Sequence, residues 1–199
     1  MSKTSSQFDN LITRIYQCQR CVAALPYPPR PVLSVAEESR ILIIGQAPGL
    51  KAHESQTPWN DVSGDRLRNW MGINKNTFYN KNICSVVPMG FCFPGYNKGS
   101  DRPPRKECAP AWHQQLLSHV NPGLTLYVGR YAQQYYLPQF NTLTAAIEHQ
   151  RTVGHEHAQT EYILPHPSGR NNRWFSRHPW FEAEVIPSLR AAVKRQLPQ

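Results

Sequence analysis

Long apolar runs are missing. Nowhere do about 18 apolar residues follow one another, so no segment has the length of a membrane-spanning helix and no membrane partner is expected. The opening stretch MSKTSSQFDN is polar and lacks the apolar core of a secretory signal, which points to the cytoplasm. Acidic residues are scarce: 13 Asp and Glu face 22 Lys and Arg, a formal net charge of +9 that favours a polyanionic partner such as nucleic acid. Two familiar phosphate cradles are absent as well. After ILII, residues 41–44, the chain reads Gly45-Gln46-Ala47-Pro48-Gly49-Leu50, which is neither G-x-x-x-x-G-K-[ST] nor G-x-G-x-x-G. Internal repeats and low-complexity tracts are also lacking.

Disulfides are rare in the cytoplasm, so the five cysteines need another reading, as buried small hydrophobes or as metal ligands. Cys84 lies inside an apolar run and reads as core. Cys18 and Cys21 form a Cys-x2-Cys pair, and Cys92 and Cys108 are separated by 15 residues. Four thiolates suit a tetrahedral zinc or a [4Fe-4S] cluster, and spacing alone does not choose. A chain of 199 residues is the size of one domain, here an N-terminal helix and Cys-x2-Cys segment over 1–38 followed by a core over 39–199.

Apolar residues at 8, 11, 12, 15 and 16 have the spacing of a helix face. Prolines make LPYPPRPVL an extended connection. Four short apolar runs, 41–44, 83–87, 124–128 and 162–164, read as buried strands. Between and after them, 63–71, 108–119, 129–137, 142–151 and 181–197 have helical character. The alternation predicts a three-layer α/β/α sandwich around a four-stranded, mostly parallel sheet. Ligands of such sheets sit beyond the carboxyl ends of the strands, so the loops that start at Gly45, Pro88, Gly129 and Pro165 are the ones to inspect.

Two of those loops carry chemistry. The first is a Pro-Gly turn that brings backbone amides near a flat ligand, with Gln46 offering donors and an acceptor. The last reads HPSGRN from His166 to Asn171, joining a charge-stabilising imidazole to phosphate-binding side chains.

A strand ending in G-Q-A-P-G together with a final strand ending in H-P-S resembles the uracil-DNA glycosylase superfamily. The layout is closest to its iron-sulfur branch, with eight residues from Gly49 to Pro58-Trp59. The HPSGRN run is similar to that of the single-strand-selective monofunctional enzymes. The resemblance implies a monofunctional DNA N-glycosylase, a base-excision-repair hydrolase that flips out a deaminated base, uracil first, from single- or double-stranded DNA. It implies a monomer, nucleoid-associated when bound to DNA, whose [4Fe-4S] cluster, or zinc, is held by Cys18, Cys21, Cys92 and Cys108.

The resemblance also distributes roles. Gly45, Gln46, Ala47, Trp59 and Ser85 fall at base-pocket positions, with Trp59 as the stacking ring. His166 falls where charge on the departing base is stabilised, and Ser168, Arg170 and Asn171 where DNA is gripped. Departures are visible too. Ala47 stands where the best-known enzymes have a water-activating Asp, Gly49 where they have a thymine-excluding Tyr, and Ser85 where a uracil-reading Asn is found. His53, backed by Glu54 and Asp61, is then the expected water-positioning group. A nucleic-acid-binding protein without excision and a nucleoside-acting hydrolase are the other readings.

Overall fold

A computed structural model describes residues 3–153 and 159–198. Four strands form its sheet: β1 (Ile41–Ile44), β2 (Cys84–Val86), β5 (Leu124–Val128) and β6 (Glu161–Leu164). A separate two-stranded hairpin, β3 (Tyr96–Asn97) and β4 (Ser100–Asp101), lies between β2 and β5 in the chain. The sheet order is β2-β1-β5-β6, and every pairing is parallel. The expected three-layer α/β/α architecture is therefore present. All four residues of β1 are buried, as they must be in a parallel strand covered on both faces.

The helices are α1 (Lys3–Tyr16), α2 (Leu50–Ser55), α3 (Val62–Met71), α4 (Lys75–Tyr79), α5 (Cys108–Leu117), α6 (Arg130–Tyr136), α7 (Leu143–Val153), α8 (Asn172–Arg177) and α9 (Ile186–Gln196). Right-handed crossovers account for the layers. From β1 the chain moves to one side, through α2, α3 and α4 into β2. It then returns past β1 through α5 and continues through α6 and α7 to β6, so these helices cover the opposite face. Packing agrees: Trp70 of α3 meets Phe181 edge-on at 5.2 Å, ahead of α9, while His113 of α5 stacks on Tyr136 of α6 at 6.0 Å.

Some elements differ from the sequence reading. The closing helix is broken into a π turn over Phe181–Val185 and then α9. Pro187 has no amide hydrogen for the carbonyl one turn earlier, and the wider turn precedes it. The short α2, α4 and α8 and the hairpin lack the sustained periodicity that marks longer elements.

The chain leaves β1 toward β2 on one side, while β5 continues toward β6 on the other. The point where the strand order reverses therefore lies between β1 and β5, and their carboxyl ends open a crevice.

Candidate active site

A cleft of about 540 Å³ occupies that crevice. Its walls come from Gly45–Gly49 after β1, Pro88 after β2, Gly129–Tyr131 after β5, and His166, Ser168, Arg170 and Asn171 after β6. Trp59 and Asp61 close it on one side, and the hairpin, with Asp101 and Arg102, on another.

Trp59 is held by its backbone. Its φ of 57° is in the left-handed region, where a non-glycine residue needs support from its surroundings. That support reaches its carbonyl, which accepts from Arg68 Nη1 at 3.2 Å and from the Tyr79 hydroxyl at 3.3 Å. Arg68 is itself buried and tied to Asp65 at 2.7 Å. The helix that carries Arg68 starts cleanly: Asp61 Oδ1 accepts from the Gly64 amide at 2.8 Å as the N-cap of α3. Only glycine fits at position 64, because a Cβ would stand 1.8 Å from the Trp59 carbonyl oxygen. At Gly45 a Cβ would lie 3.0 Å from Trp59 Cζ2, so the glycine of the first loop makes room for the indole.

The indole stacks on His166, with ring centroids 5.4 Å apart and planes at 28°. His166 Nδ1 accepts from the Ser168 amide at 3.3 Å, which leaves the proton of the neutral ring on Nε2. Burial pushes its pKa down to about 4, against the opposing charge of Asp61. At neutral pH the group is therefore an uncharged hydrogen-bond donor. The Asn171 side-chain amide donates to the His166 carbonyl at 2.7 Å and holds the loop in place. Arg170 reaches across to the Gly99 carbonyl and joins this loop to the hairpin.

The first loop is pinned from beneath. Met89 and Gly90 amides donate to the carbonyls of Gly45 and Gln46, both at 2.9 Å, so these two oxygens are engaged by the loop after β2. That loop is fixed in turn by His113, whose ring nitrogens contact the Pro88 carbonyl at 3.0 Å and the Tyr136 hydroxyl at 2.6 Å.

Two expected site residues stand elsewhere. Ser85 is fully buried, donates to Ser39 Oγ at 2.7 Å and accepts from the Ala36 amide at 3.1 Å. Strand alternation explains this: the next residue, Val86, lines the cleft, so Ser85 points to the other face. His53 is not among the cleft-lining residues, although its neighbour Ala52 is. Its ring packs against Tyr27 at 5.3 Å and Phe93 at 6.1 Å, because successive helix positions turn away from one another. Burial lowers its pKa, with Arg30 acting in the same direction.

Sequence reasoning passed over Asp101, Arg130 and Tyr131, all of which line the cleft. The Arg130 guanidinium lies 4.8 Å from the centroid of the Tyr131 ring and donates to its hydroxyl at 2.8 Å. The glycine ending β5 was the available signal for these two. Asp101 had none, since its hairpin contains no apolar pattern.

A second cavity lies away from the cleft. Cys18, Cys21, Cys92 and Cys108 all line it, together with Phe91, Arg105 and Trp112. Burial pushes the Cys92 thiol up to about 11 and the Cys108 thiol up to about 12, with neighbouring cysteines adding to both shifts. The Phe91 amide donates to Cys108 Sγ at 3.3 Å, and the buried Arg105 Nε has no partner among the described residues. Among those residues, no three His, Cys, Asp or Glu converge as a site for a single metal ion. Cys84 is packed in β2, where burial raises its thiol to about 12.

A clamped indole, a neutral imidazole and nearby carboxylates at the reversal point of a parallel sheet suit hydrolysis beside a flat, polar ring. The family comparison identifies the enzymes that share this plan: residues 33–190 match the model of the Uracil DNA glycosylase superfamily, and the chain belongs to that superfamily. Membership makes it a hydrolase of the DNA glycosylase kind, with DNA as its partner. Among the described residues no helix is long and apolar enough to cross a membrane.

Proposed function

We propose that this protein is a monofunctional glycosylase of base excision repair, removing deaminated bases, uracil first, from single- or double-stranded DNA. The observation that carries the reading is the neutral His166 stacked on the clamped Trp59 inside the cleft. A flipped base entering the cleft lies against this pair. As the glycosidic bond breaks, negative charge grows on the base, and a hydrogen bond from His166 Nε2 stabilises it. A preorganised donor of this type contributes about 3–4 kcal/mol.

Gln46 and Ala47 form part of the pocket, and Ser168 and Arg170, which line the same cleft, meet backbone phosphate. Asn171 contributes by holding the His166 loop. Because Ser85 is turned away from the cleft, no side-chain amide from β2 reads the edge of uracil. Hypoxanthine and xanthine therefore join uracil as candidate substrates. The chain acts as a cytoplasmic monomer built as one domain, associated with the nucleoid when it engages DNA.

The cysteine cavity is the candidate metal centre. Four thiols around one cavity support a [4Fe-4S] cluster held by Cys18, Cys21, Cys92 and Cys108, and the same four ligands suit zinc. The Phe91 N–H donates to the Cys108 sulfur, and hydrogen bonds of this kind tune such a centre. Bound there, the cluster cross-links the N-terminal segment to the loop after β2 and to α5.

Oligonucleotides carrying one uracil, hypoxanthine or xanthine, single- and double-stranded, test the activity. Alkali-labile abasic sites are expected with uracil, and DNA binding without any abasic product contradicts the proposal. Brown colour and visible absorption of anaerobically purified protein are expected for the cluster; a colourless sample with stoichiometric zinc contradicts that part.

A further inference from the structure

The first loop has no acid of its own: Ala47 and Gly49 leave the hydrolytic water without a base from β1. The hairpin faces this same loop. A Cβ placed on Gly49 would lie 3.9 Å from Asp101 Oδ2, so the carboxylate borders the space that a side chain at 49 would enter. Asp101 also lines the cleft with His166 and Trp59. The side-chain hydrogen bonds of the hairpin run from Arg102 Nε to the Tyr96 carbonyl at 3.1 Å and from Arg170 to the Gly99 carbonyl. They leave the Asp101 carboxylate with no hydrogen-bond donor or ion-pair partner among the described residues. We infer that Asp101 is the catalytic carboxylate that positions and deprotonates the attacking water, an inference that rests on the glycosylase reading.

The alternatives are placed less well. His53 packs between aromatic rings outside the cleft wall. Asp61 lines the cleft but commits Oδ1 to the α3 cap. It acts as a positioning residue, holding the helix that clamps Trp59. Arg170 couples Asp101 to the His166 loop, since it reaches the hairpin at Gly99.

In the step itself, the Asp101 carboxylate takes a proton from water and the water oxygen bonds to C1′ of the sugar. The C1′–N bond breaks, and the base leaves with its electron pair, stabilised by His166 Nε2–H. Asp101 passes its proton to solvent, and the base anion takes one from water. Atoms and charge balance without a further reactant.

Asp101 is exposed at the cleft, yet its surroundings still raise its basicity. Burial raises the pKa of Asp101, Arg170 opposes the rise and Asp61 adds to it. Tyr96, Lys98 and Arg102 are the other titratable or charged groups of the hairpin and its flank, and His166 lines the same cleft. Excision therefore declines on the acid side as Asp101 takes up a proton.

The test is single-turnover excision of uracil by the full chain and by Asp101→Asn, Asp101→Ala and Asp61→Asn, with DNA affinity measured in parallel. Loss of a general base predicts a rate about 10²–10⁴-fold lower for Asp101→Asn, with affinity within about threefold of wild type. The acid limb should flatten in that variant, and added formate should restore part of the rate of Asp101→Ala. Asparagine also caps helices, so Asp61→Asn keeps α3 and should lose far less. If Asp101→Asn excises within about threefold of wild type, or Asp61→Asn shows the large loss in its place, the inference is overturned while the glycosylase reading stands. If the wild type forms no abasic sites, both fall.

Discussion

The cleft and the cysteine cavity are built in opposite ways. The cleft is open and lined by polar and apolar groups alike, and its reactive groups sit on loops that leave neighbouring parallel strands. The cavity is lined mainly by apolar residues and thiols, and is assembled from the end of α1, the loop after β2 and the start of α5. One arrangement suits the making and breaking of bonds, and the other suits cross-linking of segments. His113 joins them: it contacts the Pro88 carbonyl of the cleft wall and stacks on Phe91 of the cavity at 5.6 Å.

The largest expected effect comes from the cavity. Replacing both Cys92 and Cys108 by Ala removes half the proposed ligand set. A metal centre contributes on the order of 10 kcal/mol to a small fold, so a stability loss of several kcal/mol is expected in thermal or urea unfolding. Excision per folded molecule should stay near wild type at low temperature. A variant of unchanged stability would break the division between the two regions.

Acid comes next, acting at the joint between them. Burial pushes His113 down to about 4 from an ordinary value of 6.5, so between these values the unfolded chain binds the extra proton. Its contribution is complete above pH 6.5 and is lost as pH falls toward 4, a change of ~3 kcal/mol at most. His166 shifts in the same direction. Urea unfolding of wild type and His113→Gln across this range measures the term, and equal slopes in the two proteins would remove His113 from the account.

Within the cleft, Trp59→Ala should weaken productive binding of the flipped base by about 1–3 kcal/mol, and Trp59→Phe by less. Full activity in Trp59→Ala would show that the indole only fills space. The smallest effect belongs to Ser85→Ala: about 1 kcal/mol of stability from its two buried hydrogen bonds, with no change in substrate preference. A changed preference would place Ser85 back in the pocket.

Much of this was legible in the sequence, for local reasons. ILII and LTLYV are dense apolar runs closed by glycine, and the strands occupy those residues. His166 follows the last strand directly, so a parallel sheet brings it to the same edge as Gly45. What escaped depended on direction or on distant contacts. Ser85 and Val86 differ by one position, yet alternation sends one to the core and the other to the cleft. His53 lies beside Ala52, yet the helix turns its ring toward Tyr27. Asp101 reaches the Gly49 loop only because a short hairpin, bonded through Arg170 to the last loop, folds back over it.

The most direct test of the central claim compares wild type with His166→Ala in single-turnover excision and in equilibrium binding to the same uracil-containing strand. The account predicts abasic-site formation slowed by about 10²–10³-fold with DNA binding largely retained. Equal excision by the two proteins would contradict it.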